Sequence, residues 1–109
     1  FNWNVVTGTT QALVAHNGYL ENGSALCTFT LPATSAVGDT IQVAGMSATG
    51  SWKIVQNSGN QIFFGSAAST SGVTGYIAST NAYDNVTLTC VSANANWIVT
   101  TSIGNLSVN

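Results

Sequence analysis

The side chains able to do acid–base, nucleophilic or metal chemistry are few: His16, Glu21, Asp39, Lys53, Asp84, Cys27 and Cys90, with many hydroxyls around them. A Ser–His–Asp arrangement needs an imidazole between a nucleophile and a carboxylate. Serines abound, but His16 sits beside Asn17-Gly18, a turn signal, where a solvated loop histidine is the ordinary expectation. Glycoside hydrolysis needs two carboxyls about 5–10 Å apart. Each of the three acids instead falls at a turn, where carboxylates bind local backbone N–H groups. Calcium shared by Asp39 and Asp84 lacks an acidic cluster spacing, and zinc needs more ligands than two cysteines and a distant histidine. These residues therefore predict no catalytic set, no metal site and no cofactor. Lys53 alternates with Trp52 and Ile54, so it should face solvent or a subunit contact.

Cys27 and Cys90 both fall on apolar strand faces, Cys27/Phe29/Leu31 and Val86/Leu88/Cys90. Two readings stay open. They form a disulfide between facing strands in an oxidising compartment, or they are buried thiols acting as small apolar side chains.

A neutral carbohydrate needs an apolar ring to stack on, with paired donors and acceptors beside it. Trp52 and Trp97 lie in alternating segments and are expected in the core, whereas Trp3, close to Phe1, is expected to be exposed or at an interface. Asn17 with Tyr19, the amides Gln56, Asn57, Asn60 and Gln61, and Trp3 are the candidate ligand-binding residues. The competing expectation is that amides in hairpin loops satisfy turn backbone.

The elements that must position these groups read as short strands. Leu26–Leu31 and Thr40–Gly45 alternate apolar and polar residues on either side of a Pro-marked corner and a Gly38-Asp39 turn. Similar segments run over Phe1–Val6, Gln11–Ala15, Trp52–Gln56, Gln61–Gly65, Gly75–Thr80, Val86–Val91, Trp97–Thr101 and Leu106–Val108. Turns are expected at His16–Gly18, Glu21–Ser24, Asn57–Asn60, Asn81–Asn85 and Ala93–Asn96, and loops over Met46–Ser51 and Ser66–Thr74. No helix-period run with caps is found. The pattern predicts one all-β domain over residues 1–109, a mainly antiparallel β-sandwich or barrel-like jelly roll in which sequential strands pair as hairpins. Residues 1–10 are a candidate stalk or inter-subunit strand. The absence of a fixed repeat counts against a β-helix or a propeller.

Only 4% of the 109 residues are charged, against about 25% in an average protein. A single lysine cannot make the phosphate contacts on which nucleic-acid binding rests. No apolar run is long enough to insert in a membrane. So weakly charged a surface favours association, and predicts a homo-oligomer. The Thr-, Asn- and Ser-rich usage is that of extracellular or virion surfaces.

Phe29-Thr30-Leu31-Pro32-Ala33, Val37-Gly38-Asp39-Thr40-Ile41, Trp52-Lys53-Ile54, Gly59-Asn60-Gln61-Ile62, Asp84-Asn85-Val86-Thr87-Leu88 and Asn96-Trp97-Ile98-Val99, taken together, resemble a recurring β module. Such modules occur in phage tail-fibre and virion-associated proteins and in some bacterial surface adhesins. The resemblance spans residues 25–103 and rests on turn glycines and core aromatics. It implies a homotrimer near the distal end of a fibre, serving in attachment or as a purely structural subunit or trimerisation cap. It carries over no ligand residues.

Overall fold

The computed structural model describes residues 1–46 and 51–109. Ser47–Gly50, within the loop expected over Met46–Ser51, lie outside the described residues. Among the described residues the chain is all-β, with twelve strands and no helix. They are β1 (Asn2–Val6), β2 (Thr10–Ala12), β3 (Asn17–Glu21), β4 (Cys27–Thr30), β5 (Thr40–Gly45), β6 (Trp52–Val55), β7 (Gln61–Phe64), β8 (Ala67–Ala68), β9 (Tyr76–Ala78), β10 (Asn85–Ser92), β11 (Asn96–Ile103) and β12 (Ser107–Val108).

These strands form two sheets, of order β1-β3-β5-β10-β11-β7-β8 and β12-β9-β6-β4-β2. Alternation decides which side chains are enclosed: Cys27 and Phe29, Ile41 and Val43, Trp52 and Ile54, and Val86, Leu88 and Cys90 are all buried. With Trp97, Ile62 and Ile77 they build one core drawn from both sheets. Trp52 and Trp97 are fully enclosed, as their alternating segments predict.

Strand pairing departs from the expected hairpins. The first six strands alternate between sheets, so β1, β3 and β5 run parallel in one and β2, β4 and β6 run parallel in the other. The chain thus winds as a flattened coil of three rungs. Asn2 aligns with Asn17 and Asn17 with Ile41, so the rungs differ in length, which is why no fixed repeat is visible. The remaining strands close the sheets antiparallel, except that β11 pairs parallel with β7. Both sheets are therefore mixed, not mainly antiparallel.

Two expected hairpins become crossings. The segments around Pro32 and around Asn57–Asn60 carry the chain from one sheet to the other instead of folding it back on its neighbour. At His16–Gly18, β3 already begins at Asn17, and the positive φ belongs to His16 (65°). The hairpin between β10 and β11 is observed, turning at Asn94 with φ 58°. Part of the Ser66–Thr74 loop is strand β8, and Ser69 within it is buried.

Candidate functional site

Edge strand β1 carries its odd-numbered side chains on the outer face of the seven-stranded sheet, while Asn4 and Val6 turn towards the core side. Trp3 aligns with Gly18 on β3. A Cβ on Gly18 would fall 2.4 Å from Cε3 of the Trp3 ring, so the missing side chain is what lets the indole lie down across β3. The ring remains 47% exposed, and Phe1, 65% exposed, packs edge-on to it at 5.6 Å between centroids.

Neutral amides line the other side of the same strand pair. Asn2 Nδ2 and Asn4 Nδ2 donate to Asn17 Oδ1 at 3.4 and 3.2 Å, and Asn17 Nδ2 donates to the Ala15 carbonyl at 3.0 Å. The Asn2 N–H donates to the His16 carbonyl, tying the strand heads together. His16 Nε2 lies 3.4 Å from Asp39 Oδ1 at the start of β5, with the imidazole well exposed. The corner formed by Phe1, Asn2, Trp3, His16, Asn17 and Asp39 thus offers a ring to stack on at the outer face, amides across the strand edge, and one carboxylate beside an imidazole.

Of the sequence-predicted residues, Trp3 and Asn17 belong to this corner, and the others do not. Tyr19 is buried at 3% exposure; its hydroxyl accepts the Val14 N–H at 2.9 Å and its ring packs on Phe29. Gln56 is also enclosed, and its Nε2 donates to the carbonyls of Asn60, Thr70 and Gly72 at 2.8, 3.1 and 2.9 Å. Its Oε1 accepts from the Ser69 hydroxyl, which in turn accepts the Ile62 N–H. Asn60 Nδ2 donates to the Asn94 and Ala95 carbonyls, Asn57 Nδ2 to those of Leu31 and Pro32, and Gln61 Nε2 to that of Ser69. These four amides brace loops against one another, as turn-satisfying amides do. Ser69, at the centre of the brace, was hidden in a Ser/Thr/Ala stretch with no distinguishing signal. Phe1, Asn2 and Asn4 were legible only as an aromatic–amide alternation in Phe1–Asn4.

The structure holds Cys27 and Cys90 as two free, fully buried thiols on different sheets, so the disulfide reading gives way to the apolar-thiol one. Burial first, and the neighbouring Glu21 charge second, push the Cys27 thiol up to about 11. Cys90 Sγ contacts Ser35 Oγ and the Ser92 carbonyl.

Glu21 is fully enclosed at the end of β3. One carboxyl oxygen accepts the Gly23 N–H at 2.7 Å; the other has no hydrogen-bond partner among the described residues. Desolvation raises its pKa above the ordinary 4.5, against the lowering effect of the Gly23 hydrogen bond.

Asp84 Oδ2 accepts the Thr80 and Asn81 N–H groups, closing a turn. The Asp84 carbonyl accepts the Gly45 N–H at the end of β5, whereas Asp39 precedes its start. About 20 Å of strand therefore separates the two acids, and they share no ion. Lys53 stands over the Tyr76 ring at 4.0 Å on the outer face of the five-stranded sheet, in a half-buried cation–π pair. Among the described residues no group of three or more His, Cys, Asp or Glu gathers to hold a metal, and no helix is long and apolar enough to cross a membrane. Comparison of the sequence with protein-family models and with curated proteins gives no match.

Proposed function

We propose that this chain is a non-enzymatic attachment domain of an extracellular fibre, of the phage tail-fibre or bacterial-surface kind, and that its β-sandwich presents the Trp3 corner to a neutral cell-surface glycan. The observation that carries this reading is the half-exposed indole lying flat across Gly18, with Phe1 beside it and amides along the same edge. A sugar's C–H face stacks on such a ring, and its hydroxyls exchange hydrogen bonds with neutral amides without desolvating a charge. The sandwich reading is supported by the single core shared between the sheets.

Titration with neutral oligosaccharides tests it. Trp52 and Trp97 are enclosed, so a ligand-induced change in tryptophan emission reports Trp3. Trp3→Ala should abolish both the emission change and retention on a glycan array, with the fold retained. No binding by the intact protein to any arrayed glycan overturns the reading.

One observation favours a second reading, a purely structural fibre subunit. Glu21 is the one charged residue in the seven strands of the larger sheet, and it points inward, so the outer face carries no charge at all.

A further inference from the structure

β1 is an edge strand whose polar backbone is half unused. In the parallel ladder with β3 the even residues make the bonds: the Asn2 N–H reaches the His16 carbonyl and the Val6 carbonyl accepts the Asn22 N–H. The N–H and C=O of Trp3 and Val5, and the carbonyl of Phe1, therefore point away from the sheet along its free edge. Natural edges are usually blunted by shortness, charge, proline or a bulge. β1 has five residues, none charged and none proline, and it pairs in unbroken register with β3. The other edges, β2, β8 and β12, have three, two and two residues.

We infer that the free edge of β1 is a self-association surface, occupied by β1 of a second copy running antiparallel about a two-fold axis at Trp3. This register gives every free strand N–H an acceptor and leaves only the Val5 carbonyl without an amide partner. Trp3 of one copy exchanges both backbone hydrogen bonds with Trp3 of the other, and the Val5 N–H donates to the Phe1 carbonyl of the second copy. Shifting the pairing by two residues towards Phe1 leaves fewer bonds, and the opposite shift makes as many but sets Trp3 against Val5 and leaves Phe1 unopposed by β1. All outward side chains then share one face, setting Phe1 opposite Val5 and Trp3 opposite Trp3 in a continuous apolar stripe. The indole lies towards β3, so it leaves the edge open. No like charges meet, because β1 carries none. The edge favours two copies, where the resemblance to fibre modules implies three.

Val5→Pro is the decisive variant. The Val5 N–H faces the free edge, so proline there costs no bond to β3 and leaves Trp3 in place. Sedimentation over a concentration series, with amide hydrogen exchange, should show a dimer in which the Trp3 and Val5 amides become protected as concentration rises. Val5→Pro should weaken association about tenfold or more, through two symmetry-related hydrogen bonds lost. Oligosaccharide binding per chain should persist, which separates this inference from the glycan reading. A protein that stays monomeric with both amides unprotected overturns the inference. So does a dimer that Val5→Pro leaves intact, or protection that appears only when an unrelated extended peptide is added.

Discussion

Glu21 has a buried carboxyl with a single hydrogen-bond donor among the described residues, and its energetic role depends on its proton. Because its folded pKa is raised, the folded state holds the proton more tightly than the unfolded chain does. That contribution is fully present below the ordinary value of 4.5 and is lost as pH rises through the raised value. Glu21→Gln keeps the shape and removes the titration. Chemical denaturation across a pH series should show the parent protein losing stability above that range while the variant does not, with the variant the more stable at neutral pH. Gln56 is the opposite kind of buried polar group, with every donor used. Gln56→Ala should cost about 2–3 kcal/mol, because it strands the Thr70 carbonyl and the Ser69 hydroxyl proton, while the Asn60 and Gly72 carbonyls keep the Gly72 and Gly75 N–H groups. Urea titration measures this, and oligosaccharide binding by the fraction still folded should be unchanged.

At the scale of elements, what could be read in advance was alternation. Cys27–Leu31, Thr40–Gly45, Trp52–Val55 and Val86–Cys90 each show which side chains are enclosed, because a strand's period of two is a local property. Pairing partners are not local. The turn residues near Pro32 and in Asn57–Asn60 signal a change of direction, which serves a crossing between sheets as well as a hairpin. The same limit applies to the site. Asparagine and glutamine in loops look alike whether they face a ligand or a neighbouring carbonyl, and only the assembled loops show Gln56 and Asn60 turned inward. Trp3 could be singled out, but the glycine that lets its ring lie flat is fifteen residues away and is recognisable only once β1 and β3 are in register.

For the molecule as a whole, the core is enclosed by strands whose sequence neighbours lie in the opposite sheet. Neither sheet forms without the other, because each rung contributes one strand to both. Charge plays almost no part in this arrangement: the larger sheet is neutral outside, and Lys53 is held over a ring on the smaller one. Hydration of the surface therefore falls to hydroxyls and amides, and the proposed association would rest on backbone and apolar contact. Both proposed roles of β1 are insensitive to salt for that reason.

The unequal rungs have a further consequence. Asn2, Asn17 and Ile41 stack in register although the stretches joining them differ in length, so connector length is decoupled from interior geometry. Extra residues at an exposed bend should spool outward without disturbing the wall behind it. A short Gly/Ser insertion between Ser24 and Ala25, both exposed, should lower the melting temperature by no more than a few degrees, since doubling a flexible loop costs only about 0.6 kcal/mol. The scaffold could then carry foreign peptides on its bends while its edges and interior stay as they are.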